Sequence, residues 1–191
     1  MASTLTPSDG AGVRNGGSIP PLSTDHITNK WRHIMPKSRR TSAPPVRPLL
    51  VGEQNPYGGD PEYALYPAPD GCSGQRLCCL ILGMRRKAYL ESFRRVNLCD
   101  GTWDRSIAAN RAGELRDSGG PLILLGRKVA ASFDLGGFAP FTIVECGLFL
   151  LLPHPSGLCR QWNEPGAFER ARTLVAEVCP ELAHLLGVCD E

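Results

Sequence analysis

After residue 47 the chain is a series of short apolar runs separated by polar or turn-forming stretches. Leu49-Leu50-Val51 is the first, and it reads as a buried strand that meets a loop at Gly52. Residues 53–72 are rich in Gly, Pro, Asp and Tyr. A loop of that length beside a buried strand is usually functional. Ser73 is placed to cap a helix running to about Met84, with Leu77, Leu80 and Ile81 on one face. A second helix is expected over Lys87 to Phe93, then a strand at Arg95-Val96-Asn97-Leu98. Residues 105–117 carry a polar helical pattern. Pro121-Leu122-Ile123-Leu124-Leu125-Gly126 is the clearest buried strand, and a helix from Arg127 to Phe133 follows it. The last strand, Leu148 to Leu152, runs into Pro153-His154-Pro155. A final helix spans roughly Glu164 to Val178 and is ended by Pro180.

Short apolar strands alternating with helices predict an α/β fold. The expected form is a three-layer α/β/α sandwich around a central, mostly parallel, four-stranded sheet. In such sheets the ligand crevice lies off the carboxyl ends of the strands. Both unusual loops, after Val51 and after Leu152, fall at such ends.

Composition divides the chain. Residues 1–44 are rich in Ser, Thr, Gly and Pro and read as a flexible basic arm, the first 25 residues disordered. Trp31, Ile34 and Met35 are candidates to dock part of that arm. Residues 45–191 form the α/β domain. Residues 1–47 hold seven basic side chains against two acidic ones, a charge of +5; the total is +2, so the remainder is −3. A basic arm on a nearly neutral body fits either a polyanionic partner or a merely solvated tail. No run of about 18 apolar residues predicts a membrane span. The N-terminus lacks a charged start followed by an apolar core, so an intracellular protein, cytoplasmic or nuclear, is expected. The eight cysteines form no C-x-x-C pair. Most lie in apolar runs and read as small buried hydrophobes rather than disulfides or zinc ligands.

The two loops carry the candidate chemistry. Gly52-Glu53-Gln54-Asn55-Pro56-Tyr57-Gly58 resembles the water-activating loop of the uracil-DNA glycosylase superfamily. Leu152-Pro153-His154-Pro155-Ser156-Gly157-Leu158 resembles that superfamily's second motif. Between them, Arg95 to Cys99 resembles the strand whose Asn reads the flipped base, and Pro121 to Arg127 the strand ending in Leu-Gly-Arg. The resemblance covers residues 47 to about 186. It implies a uracil-DNA glycosylase-like fold and a monomeric enzyme acting on DNA. The implied reaction is hydrolysis of the N-glycosidic bond of a flipped-out base, leaving an abasic site.

It also implies roles. His154 donates to the carbonyl oxygen of the departing base. Asn55 positions water, or Glu53 acts as a base or electrostatic partner; the loop carries one residue more than the family patterns, so its register stays open. Asn55 stands where the best-known branch has Asp, and an amide cannot take a proton. Gln54, Tyr57, Tyr66 and Asn97 are expected at the base, with Tyr57 closing the pocket and Tyr66 stacking. Ser156 and Gly157 grip a phosphate, Leu158 wedges into the vacated stack and Arg160 contacts phosphate. Structural readings compete with these roles: Asn55-Pro56 as a turn, Tyr66 half-buried under the loop and Leu158 in ordinary packing.

No cofactor is expected. Some branches hold an iron–sulfur cluster, but Cys72, Cys78, Cys79 and Cys99 lack the cysteine pair ahead of the first motif. Outside the arm only Lys87 and Lys128 occur, neither in a motif loop, so Schiff-base strand cleavage is not expected. The base is uracil or a modified pyrimidine. Alternatives are removal of bulky modified bases from phage DNA as an antiviral defence, and a non-catalytic DNA-binding module on the same fold. A hydrolase of free nucleosides fits the sheet but not the His154 loop.

Overall fold

The structure, a computed structural model, describes residues 46–55 and 60–188. The expected N-terminal arm and Tyr57 lie outside the described residues. Among the described residues, five strands form one sheet: β1 (Leu49–Asn55), β2 (Arg94–Asp100), β3 (Leu122–Leu125), β4 (Thr142–Val144) and β5 (Phe149–Leu152). Their order is β2-β1-β3-β5-β4. All neighbours are parallel except β4, which runs antiparallel to β5.

Side-chain alternation divides the interior into two cores. Leu49, Val51, Leu122, Leu124, Phe149 and Leu151 face one side. There they meet Ala108 and Ala112 of α3 (Arg105–Arg116) and Val129 and Ala130 of α4 (Arg127–Ser132). Leu50, Ile123, Leu125, Leu150 and Leu152 face the other side. Their partners include Leu77, Tyr89, Ala171 and Val175. Those residues belong to α1 (Ser73–Gln75, continuing as a π-helix over Arg76–Ile81), α2 (Arg86–Ser92) and α5 (Ala167–Val178). The sheet is therefore buried on both faces, which is why β3 and β5 are continuous apolar runs.

Three expectations need correction. The sheet has five strands rather than four. The extra strand, β4, is a three-residue edge of half-buried positions, too short to show a period of two. It is bracketed by positive φ at Phe141 and Glu145. The second correction concerns β1, which does not stop at Val51. It runs on to Asn55 because β2 keeps supplying ladder partners: Gly52 pairs with Asn97, Gln54 with Cys99 and Asn55 with Asp100. The third is the cap of α1, which is Cys72 rather than Ser73. The Cys72 thiol accepts from the Gln75 N–H at 3.3 Å. The helix then widens into a π-turn, with the Leu82 N–H donating to the Leu77 carbonyl at 2.9 Å.

The strand order locates the crevice. From β1 the chain moves outward to β2, then returns to the opposite side of β1 for β3. This is a topological switch point, where the crevice of an open α/β sheet lies. β3 pairs with β1 only as far as Val51. Beyond it the end of β1 stands apart from β3, and the sheet opens. Among the described residues no helix is long and apolar enough to cross a membrane.

Candidate functional site

A cavity of about 830 Å³ fills that opening. Glu53, Gln54 and Asn55 of β1 line it, with Asn97 of β2 and His154, Ser156 and Gly157 after β5. Tyr66 completes the set of expected residues on its wall. Four separate stretches of sequence thus meet in one concavity. Leu158 and Arg160 do not line it. Leu158, 93% exposed, lies in the turn after Ser156, and the exposed Arg160 begins the 3-10 helix Arg160–Asn163.

His154 is held from several sides. Its carbonyl accepts from the buried Trp162 indole N–H at 2.8 Å. The carbonyl of the next residue, Pro155, accepts from Arg76 Nε at 3.1 Å, tying the loop to α1. The imidazole Nδ1 accepts from the Ser156 backbone N–H at 3.2 Å. An accepting Nδ1 carries no proton, so in the neutral ring the proton sits on Nε2. Burial pushes the His154 pKa below its usual 6.5; the Glu53 carboxylate opposes that shift and the Lys128 ammonium adds to it. The ring is therefore a neutral donor with one defined tautomer.

Gly126, at φ +101°, ends β3 where the backbone must pass close to this ring. A Cβ there would stand 3.1 Å from the His154 Cβ and 3.2 Å from Glu53 Oε1. Gly52 has a similar role at the floor. A Cβ on it would fall 2.2 Å from Asn97 Oδ1. The glycine lets the Asn97 side chain lie across β1. Asn97 is only 6% exposed, and its Oδ1 has no hydrogen-bond partner among the described residues. A buried amide oxygen without a partner costs free energy on the order of 1–3 kcal/mol unless something binds it.

Asn55, also buried, donates from Nδ2 to the Asp60 carbonyl at 3.4 Å. Glu53 points toward the cavity and the gap beside β3. Its Oε2 lies 3.1 Å from Lys128 Nζ, with the carboxylate side chain 17% exposed and the lysine 58%. Tyr66 is half-buried, its ring between the edge-on Tyr63 ring at 6.0 Å and the Arg95 guanidinium at 5.7 Å. The backbone around it is pinned: Tyr89 Oη donates to the Leu65 carbonyl at 3.0 Å, and the Cys72 thiol to the Tyr66 carbonyl at 3.4 Å.

Lys128, Tyr63, Cys72 and Ser73 also line the wall, none of them expected at the site; Lys128 lies outside the two motif loops yet reaches the cavity. Lys128 had a usable signal, since it lies just past the carboxyl end of β3, beside the switch point. Among the described residues, no group of three or more His, Cys, Asp or Glu is arranged to hold a metal ion. Cys72, Cys78 and Cys99 instead each meet a backbone carbonyl. Chemically, the cavity offers a neutral imidazole donor, an unpartnered amide, a carboxylate and an aromatic wall. No family model, curated protein or solved structure matches the chain.

Proposed function

We propose that this chain is a monomeric, uracil-DNA glycosylase-like hydrolase that cleaves the N-glycosidic bond of a base rotated out of DNA. The observation that carries the reading is the convergence of the β1 end, Asn97 and the His154 loop on one cavity. In this reading the Asn97 amide on the cavity wall reads the edge of the base. His154 donates from Nε2 to the oxygen on which charge develops as the base departs, where a preorganised donor helps most. The Glu53 carboxylate lies where it can stabilise a cation-like sugar or orient water. Asn55 supports the water, and Tyr66 supplies the stacking wall. The exposed Leu158 and Arg160 meet the strand outside the cavity, one as a wedge and the other at a phosphate.

The size of the cavity favours a second reading of the substrate. About 830 Å³ is near the top of the range of roughly 300–1,000 Å³ typical of pockets for drug-sized ligands. A bare pyrimidine ring leaves most of it unfilled. A pyrimidine with a large substituent uses it better, the substituent lying toward Pro69, Gly71 and Cys72. Removing such bases from phage DNA is a defence role consistent with this chemistry.

The experiment is mass analysis of bases released from uracil-containing DNA and from DNAs with bulky modified pyrimidines, with parallel detection of abasic sites. Release of a base with a matching abasic site is expected. DNA binding without release from any substrate would replace this reading with a non-catalytic binding module.

A further inference from the structure

We propose that Lys128 gives the same cavity a second activity: its amine condenses with the aldehyde of an abasic deoxyribose and cleaves the strand by β-elimination. The proposal rests on reading the cavity as a DNA site, but not on base release. Lys128 lies two residues past Gly126, in the first turn of α4, and lines the cavity. The amine has two partners although the side chain is 58% exposed. Glu53 Oε2 is 3.1 Å away, and the Trp103 ring centre lies 5.5 Å from Nζ.

Imine chemistry needs three groups: a primary amine, a base to take protons, and a donor for the departing oxygen. Lys128, Glu53 and His154 Nε2–H supply these on one wall. The 3.1 Å contact between Lys128 Nζ and Glu53 Oε2 gives a direct path for a proton between the two groups.

The steps balance without an outside oxidant or reductant. Lys128 first passes a proton to the Glu53 carboxylate, and its Nζ lone pair adds to C1′ of the open-chain sugar; the aldehyde oxygen then takes one proton from the nitrogen and one back from Glu53 and leaves as water, which gives a protonated imine and restores the carboxylate. The Glu53 carboxylate takes the C2′ proton. The electron pair of that C–H bond forms the C2′–C3′ double bond as the C3′–O bond breaks, and the 3′ phosphate departs with its electrons. Water then hydrolyses the imine and releases Lys128 from an unsaturated aldehyde.

The test uses the full chain and DNA carrying a preformed abasic site, with sodium borohydride added to reduce any imine to a stable amine. Expected are a covalent protein–DNA adduct and a peptide map that puts the link on Lys128. Lys128→Arg retains a cation against Glu53 but has no primary amine to form the imine, so its adduct should fall to background. Lys87→Arg, on α2 and away from the cavity, should trap like the parent. The proposal is overturned by no adduct with the parent protein, by equal trapping of the Lys128→Arg variant, or by a link mapped to another amine. Base release is scored separately, so release without trapping overturns only the lyase step. Trapping without release from any substrate retains it and removes the glycosylase.

Discussion

Replacing His154 by Ala tests the centre of the proposed mechanism. The ring is held by its backbone and by the Ser156 N–H on Nδ1, which leaves Nε2–H as the donor. Losing one preorganised donor to a developing oxyanion costs about 10²–10³ in rate, or about 2.7–4 kcal/mol of transition-state stabilisation. Stability should change less. The Ser156 N–H loses its acceptor in a half-exposed loop, worth about 0.5–1.5 kcal/mol. Single-turnover base release should therefore collapse while the urea midpoint moves modestly. His154→Gln, which still offers an N–H, should recover part of the loss.

The pH profile gives an independent reading of the same ring. The His154 pKa is held below its usual 6.5, mainly by burial. Protonation would place an N–H on Nδ1 opposite the Ser156 N–H, so the native site resists it. The neutral donor persists to the acid side of the ordinary histidine range, and the acid limb of release should lie below about pH 6.5. The linked stability has the same sign. Above that pH both folded and unfolded rings are neutral. As pH falls, the unfolded chain binds the proton first, and stability declines. Release by His154→Ala within a few-fold of the parent, or an acid limb above pH 6.5, would refute this reasoning.

Other outcomes follow from the glycines, the unpartnered amide and the exposed leucine. Asn97→Leu should abolish base release yet raise the urea midpoint, by about 1–3 kcal/mol in stability, because it removes a buried oxygen without a partner. Gly52→Ala should lose release and stability together, since its Cβ would lie 2.2 Å from Asn97 Oδ1. Gly126→Ala should cost about 1–3 kcal/mol from backbone strain at φ +101° and also displace His154 and Glu53, seen as a lower midpoint with impaired release. Leu158→Ala should leave stability within about 0.5 kcal/mol, because the side chain is 93% exposed. If the leucine is a wedge, the variant should lose release from duplex DNA more than from single strands.

The fold was legible where burial alone sets the pattern. β3 and β5 lie between two helical layers, so all their side chains are apolar and their positions can be read directly. α3 and α4 also lie within a residue or two of their expected bounds. Legibility failed where a neighbour decides the structure. Glu53 and Gln54 are strand residues only because β2 extends beside them, and β2 is distant in sequence. Cys72 caps α1 through a thiol, which composition ranks below the adjacent serine hydroxyl. The three residues of β4 are strand only by pairing with β5.

The candidate site was legible for a different reason, and its limit follows from that reason. Glu53, Asn55 and His154 stand out because their two loops resemble the uracil-DNA glycosylase motifs and each loop follows a short apolar run. The residues passed over answer to the shape of the crevice instead. Lys128 follows Gly126 in a helical pattern that reads as ordinary surface. Only the parting of β1 from β3 after Val51 puts its amine opposite Glu53. Tyr63 similarly meets Tyr66 through a short helical turn whose direction no local pattern encodes. What the motifs leave unspecified is therefore the charge beside His154. Under the proposed reading that charge sets how the site would handle a sugar once a base has left: a lone Glu53 would favour hydrolysis alone, whereas a Glu53–Lys128 pair would supply the base and the amine that strand cleavage requires.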